Sequence, residues 1–284
     1  MKLLFYKSII CFVFIILDRI GSININIKIK NFLCFFFNKK KILINVRNHK
    51  KIIFIDNNLL WIGGNNIGMD YLGMNIIIGK WRDFHCKIIN FSFNYVNKNL
   101  FIKNNFLIKK LLFSKKNFFL ESNFFKLIKY IFKRIQKTIV IISPYLIIDL
   151  QIINIIKNIN INIAIYLFLS YKSDNLYIQN TSIIFVKFLK KKNIKIYLLC
   201  LGFFHKKIYI FDKKYILFGS INFDIRSNYF NKENLFIIKD NIFRNIFFKK
   251  IKKEKIFLYN INYKKKFFYL KFFYIISFLN YFLQ

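Results

Sequence analysis

The chain reads as an α/β fold built from two related units about a pseudo-twofold axis, each a mixed, mostly parallel sheet flanked by helices, with a functional site at their interface. Three observations predict this. A segment NHKKIIFIDNNLLWIGGNNIG starting at Asn48 recurs as FHKKIYIFDKKYILFGSINFD starting at Phe204, and self-similarity on that scale marks a repeated structural unit. Upstream of the second copy, short apolar runs alternate with helical patterns, as in strand–helix–strand units of a sheet. With 284 residues, the chain can hold two modest domains but hardly three.

In chain order, the apolar run Ile9 to Leu17 follows Lys7 and is closed by Asp18 and Gly21. It is too short to span a bilayer and reads as a buried strand matching Ile161 to Leu169 of the second half. Both copies of the repeat parse alike. An apolar strand leads to a polar turn (Asn57-Asn58, then Lys213-Lys214), a second strand (Leu59 to Ile62, then Tyr215 to Phe218) and a glycine turn. Before the second copy we expect a helix over Phe124 to Gln136, a strand over Thr138 to Ser143, a helix over Asp149 to Lys157, a strand over Ile161 to Ser170, a helix over Ser182 to Lys192 and a strand over Ile194 to Leu199. The boundary falls between residues 1–115 and 116–284, the first half lacking counterparts of the first strand and helix of the second. Phe272 to Leu283 follows Lys264, Lys265, Lys266 and Lys271; it is either a helix lying in a membrane interface or a terminal helix docked on the core.

Hydrophobic residues at 56% and aromatics at 20% exclude a disordered chain. The net charge of +37 suits nucleic acid or an anionic membrane. Lys, Asn, Ile, Phe and Tyr are however abundant along the whole chain, which points to base bias in the gene rather than to one selected basic patch. Such a surface still concentrates phosphate-bearing partners. Cys11, Cys34, Cys86 and Cys200 have no paired spacing, so neither a zinc site nor a disulfide framework is indicated. Cys200, in a strand-like run, reads as a small buried apolar residue.

Both repeats fit H-x-K-x(4)-D-x(6)-G-[GS]-x-N without a gap: His49, Lys51, Asp56, Gly63, Gly64 and Asn66, then His205, Lys207, Asp212, Gly219, Ser220 and Asn222. The chain has three histidines, and two of them head this pattern. Histidine and lysine two apart on a strand project from one face, so an imidazole and an ammonium converge on one point. The lysine can neutralise phosphate oxygens, while the glycine turn and the asparagine amide supply donors. One imidazole can attack phosphorus and the other protonate the leaving alkoxide, which splits the displacement in two through a phosphohistidine. No metal or cofactor is required. Asp56 and Asp212 lie an odd number of positions from their histidines, so a strand points them away, and we expect them to hold backbone or a basic partner.

The paired motif resembles the phospholipase D superfamily. Trp81-Arg82-Asp83 with His85, and GSINFDIRSNYFNKEN from Gly219 to Asn234, are similar to the two motif regions of bacterial cardiolipin synthases; Ser143-Pro144-Tyr145 and Leu17-Asp18 through Gly21-Ser22 also resemble family segments. The resemblance implies transfer of a phosphatidyl group from one phosphatidylglycerol to another with release of glycerol, and His49, Lys51, Asp56, His205, Lys207 and Asp212 as the catalytic set. It implies His49 as nucleophile and His205 as acid and then base. Later carboxylates orient the histidines, Glu233 for His205 and Asp83 for His49. Gly64, Asn66, Ser220, Asn222 and Arg226 would hold phosphate, with Arg82 a further candidate, and His85 is read as structural. The partners implied are anionic phospholipid and a membrane surface, peripheral on the bacterial inner membrane. Family members begin with two spanning helices and a complete first half, so the chain reads as N-terminally shortened. The competing reading is a nuclease of the same superfamily, or a phosphatidylserine synthase or phospholipase D; the internal pairing of both motifs and the lipid-type tail after the second argue against nucleic acid.

Overall fold

The computed structural model describes residues 13–14, 48–56, 59–66, 68–89, 118–121, 124–189, 193–200, 202–254 and 258–260. The Phe272 to Leu283 stretch and most of Ile9 to Leu17 lie outside them.

The first half contributes strands β1 (Val13–Phe14), β2 (Ile52–Ile55), β3 (Leu59–Gly63), β4 (Trp81–Arg82) and β5 (His85–Ile88). The second contributes β6 (Phe118–Glu121), helix α1 (Phe124–Phe132), β7 (Thr138–Ile142), β8 (Leu146–Ile147), α2 (Leu150–Lys157), β9 (Ala164–Ser170), α3 (Leu176–Phe188), β10 (Ile194–Leu199), β11 (Phe203–Phe204), β12 (Ile208–Phe211), β13 (Tyr215–Gly219), β14 (Phe223–Asp224), α4 (Ile225–Tyr229), β15 (Asn234–Ile238), α5 (Asn241–Glu254) and β16 (Leu258–Asn260).

Two main sheets result, ordered β1-β2-β3-β5 and β16-β10-β9-β7-β12-β13-β15-β6. The run β1-β2-β3-β5 repeats β7-β12-β13-β15 strand for strand, each neighbouring pair antiparallel. Val13–Phe14 therefore takes the place of Thr138–Ile142, not that of Ala164–Ser170 as the sequence suggested. The sheets are mixed, as expected, but among the described residues antiparallel pairing prevails: within the two main sheets β7, β9 and β10 run parallel, as do the short pairs β11–β4 and β14–β8. The reason is connectivity. Helices α2 and α3 bridge β7 to β9 and β9 to β10, whereas tight turns such as Asp212 to Lys214 fold neighbouring strands back on each other.

Alternation along the central strands divides the core in two. Tyr209 and Phe211 face α1 and α2 with Leu217, Leu235 and Ile237. Ile208 and Ile210 face the other way, with Ile216, Phe218 and Phe236, into a cluster that includes Leu60 and Ile62 of β3. The two halves thus share a core. Helix α5 closes it, Phe247 meeting Phe84 at 5.4 Å between ring centres, with Phe84 5.0 Å from Phe218.

Boundaries shift where side chains cap. Asp149 does not enter α2 but accepts from Ile152 N–H at 2.7 Å, and Asn175 accepts from Tyr177 and Ile178 N–H at 3.0 and 3.2 Å. Helix α3 consequently starts six residues before the expected Ser182, whose hydroxyl instead accepts Leu146 N–H at 3.0 Å. Cys200 is exposed just past β10 rather than buried within it.

Candidate active site

Each histidine enters the site alongside a strand of the other half. Asn48 bridges Lys232 in parallel, and His49 N–H donates to Lys232 C=O at 2.9 Å. In the same way β11 pairs with β4, and His205 N–H donates to Arg82 C=O at 2.8 Å. This swap fixes which carboxylate each imidazole meets. His49 Nδ1 donates to Glu233 at 2.8 Å and His205 Nδ1 to Asp83 at 2.7 Å. The expected pairing, Glu233 with His205 and Asp83 with His49, is reversed: the carboxylate that follows each motif in sequence serves the histidine of the opposite motif. Sequence proximity misled because the segment carrying each carboxylate, just after β4 or just before β15, runs beside the other half's histidine.

The two halves build their carboxylates alike. Gly64 N–H donates to Phe84 C=O at 3.1 Å and Ser220 N–H to Asn234 C=O at 3.0 Å, equivalent bonds beside Asp83 and Glu233. A Cβ at Gly64 would stand 2.2 Å from Asp83 Oδ1, so glycine is needed there for the carboxylate to approach. Ser220 donates its hydroxyl to Glu233 and accepts from Asn234 N–H at 3.0 Å, and Asn231 adds a bond to Glu233 at 3.1 Å. Gly64 and Ser220, expected at phosphate, lie against the two acids, Gly64 leaving room for Asp83 and Ser220 holding Glu233.

Lys207 is fully buried; its Nζ donates to His205 C=O at 2.8 Å and lies 2.8 Å from His205 Nε2 and 3.7 Å from Asp83. Lys51 is buried too, its Nζ donating to His49 C=O at 2.9 Å. Burial, with the Lys207 charge, lowers the His205 pKa to about 4 against the opposing pull of Asp83, so its imidazole is neutral at physiological pH. Burial also lowers Lys207, opposed by Asp83 and Glu233. The Asp83 carboxyl is pushed up by burial, but Lys207 and His205 outweigh this and leave it below the usual range. The Lys207 ammonium stands 3.7 Å from Asp83 and also feels the charge of Glu233. Asp224, buried and capping α4 through Ser227 N–H at 2.6 Å, is raised by burial and senses His49.

Asp56 and Asp212 stand at the far ends of β2 and β12 from their histidines. Asp212 accepts from the N–H groups of Gln136, Lys137 and Thr138 at 3.0, 2.8 and 2.9 Å; Asp56 is exposed in its turn. Asn222 is buried, and its Oδ1 takes no hydrogen bond from a described residue. Asn66 is exposed and donates to Tyr71 OH at 2.9 Å. Arg226 lies in α4, where its carbonyl accepts Phe230 and Asn231 N–H. His85 sits on β5 opposite Gly63, its pKa lowered by burial.

Residues 128–254 match the family described as cardiolipin synthase, PLD-like domain. Cardiolipin synthase 1 of Staphylococcus epidermidis is 30% identical over 279 residues, covering 84% of this chain and 56% of that protein. The chain belongs to the cardiolipin synthase family of phospholipase D-like proteins. The cardiolipin synthase of Clostridium perfringens is 28% identical over 240 residues, 74% of this chain and 50% of that one, so the chain spans about half the length of the curated relatives it matches. Among solved structures, phosphatidylserine synthase of Haemophilus influenzae superposes with a TM-score of 0.59 at 14% identity over 84% of this chain and 68% of that chain, a likeness of fold.

Sequence reasoning missed the aromatic walls of this cardiolipin synthase-family site. Trp81 packs on His205 at 4.6 Å between ring centres, Phe203 at 5.2 Å and Tyr71 edge-on at 6.1 Å. Tyr145 donates to Asp174, whose charge also reaches His205. Trp81 lay within the quoted motif, yet aromatics are so frequent here that a functional one carries no compositional signal.

Proposed function

We propose that the protein transfers a phosphatidyl group between phospholipids through a phosphohistidine, joining two phosphatidylglycerol molecules into cardiolipin and glycerol. The observation that carries this reading is the pair of crossed couples, His49–Glu233 and His205–Asp83, with the Lys207 ammonium 3.7 Å from Asp83. Each carboxylate holds Nδ1–H, which leaves Nε2 as the atom to meet phosphorus or a proton once substrate displaces Lys207 from His205. His49 Nε2 attacks phosphorus, the bond from phosphorus to the glycerol oxygen breaks, and His205 gives that oxygen its proton. A headgroup hydroxyl of the second phosphatidylglycerol then returns a proton to His205, attacks phosphorus and breaks the P–N bond.

In the unliganded site His205 is neutral, with Lys207 Nζ against its ring, 2.5 Å from Nδ1 and 2.8 Å from Nε2. A phosphate oxygen taking that place offsets the lysine charge and raises the His205 pKa, so substrate itself arms the acid. Lys51 and Lys207 balance the phosphate charge; Asn66, Asn222 and Arg226 are proposed to orient it. The substrate bilayer is proposed to be met peripherally. Among the described residues no helix is long and apolar enough to cross a membrane.

The test is to incubate the purified protein separately with phosphatidylglycerol vesicles and with single-stranded DNA. The reading expects cardiolipin and free glycerol, with DNA intact. Cleaved DNA without lipid product overturns it. Mapping the quenched intermediate assigns the nucleophile, expected at His49.

A further inference from the structure

The segment between the first motif and Trp81 carries an unusual surface. Ile76 is 96% and Ile77 84% exposed, with Leu72 and Met74 exposed beside them. Across from it, the start of α3 exposes Leu176 and Tyr177. The two are joined: Lys172 donates from Nζ to Ile77 C=O at 3.3 Å, and Ile78 is buried in a cluster with Ile178, Tyr145, Phe203 and Trp81. That cluster continues to His205, on which Trp81 and Phe203 pack. An apolar face open to water is thus continuous with the lining of the candidate active site.

A contiguous apolar surface of this kind marks a place where something docks. We infer that this face is the membrane-docking surface: Ile76 and Ile77 enter the acyl boundary of an anionic phospholipid bilayer and set the His205 side of the site at headgroup level. The occupant follows from charge and chemistry. Lys80 is exposed beside the segment and Lys172 spans it, while the chain as a whole carries +37, so long-range attraction favours an anionic surface over another copy of this cationic chain. The two acids nearby are engaged, Asp70 accepting from Asn75 at 3.1 Å and Asp174 from Tyr145. The inference rests on the reading of the substrate as phospholipid, but its test is binding rather than turnover.

Wild type and the double variant Ile76→Ser with Ile77→Ser are titrated with vesicles of phosphatidylglycerol and phosphatidylcholine, at low salt and at 0.5 M NaCl, a salt level at which charge attraction is largely screened, on the order of a few ångströms of Debye length. In parallel, a Trp at position 77 (Ile77→Trp) reports depth through quenching by brominated acyl chains. We expect the double variant to partition at least tenfold more weakly at high salt, with unchanged circular dichroism and unchanged turnover of a water-soluble phosphodiester, and the indole to be quenched. Equal partitioning of the two proteins, or an unquenched indole on bound protein, overturns the inference. So does a dimer in wild type that the double variant loses, since the face would then belong to a second copy. Loss of lipid turnover with binding intact would instead count against the proposed reaction.

Discussion

At the scale of single residues, Glu233 and Asp83 decide what each imidazole can do. Glu233→Gln removes the acceptor that fixes the His49 tautomer, and we expect kcat to fall by about 10²-fold or more; in His49→Ala the same change should add little, because the two act as one unit. Full additivity in that cycle would contradict the crossed pairing. Asp212→Ala behaves differently. It deprives three backbone N–H groups at a partly exposed strand end of their acceptor, so unfolding titrations should show a loss of about 1–3 kcal/mol with kcat little changed. The sequence made the histidines and lysines legible because they recur at one spacing in both repeats, although they precede β2 and β12 rather than lie on them, while Asp56 and Asp212 follow those strands at the ends far from the histidines. It could not show that Ser220 and Gly64 serve the carboxylates, since a hydroxyl and a missing Cβ look alike whether the neighbour is a phosphate or an acid.

Among the elements, strand and helix positions in the second half were readable from apolar runs and their punctuation, and Ile194–Leu199 matches its expected span. Errors fall at both ends of elements, α1 stopping at Phe132 rather than Gln136 and β9 starting at Ala164 rather than Ile161, and at two helix starts a polar side chain ends the strand-to-helix loop by capping. Asp149 and Asn175 are of the preferred capping types, a signal that apolar periodicity overlooks. Asp149→Ala should lower stability by about 1 kcal/mol, read as a shift in denaturation midpoint with unchanged slope. Strand direction was harder still, because parallel and antiparallel strands share one apolar alternation and differ only in the connection that follows. Helix α5 ties the halves: Phe247, 3% exposed, touches Phe84 of the first half. Phe247→Ala should cost about 3–5 kcal/mol in a melting experiment.

For the molecule as a whole, crossed strands and a shared core make the two halves one site. The pairing of β11 with β4 and of Asn48 with Lys232 means that neither histidine keeps its carboxylate if the halves separate. Long-range pairing of this kind leaves no local sequence signal, which is why duplication revealed the site while its wiring stayed hidden. The site also sets a pH dependence. His205 has a folded pKa of about 4 against an ordinary 6.5, so the unfolded chain takes up a proton between those values that the folded chain refuses. Stability should therefore hold above pH 6.5 and fall as pH drops from 6.5 toward 4, by up to about 1.4 kcal/mol per pH unit. Asp83, depressed by Lys207 and His205, adds to the loss at lower pH. His205→Asn should flatten the curve in the upper window.

The most direct measurement of the central claim is phosphatidylglycerol turnover by wild type, His49→Ala, His205→Ala and the variant lacking both. A single shared phosphorus predicts that each single change abolishes multiple turnover and that the double change is no worse than either. Wild-type turnover surviving in one single variant, or losses that multiply in the double, would contradict the account.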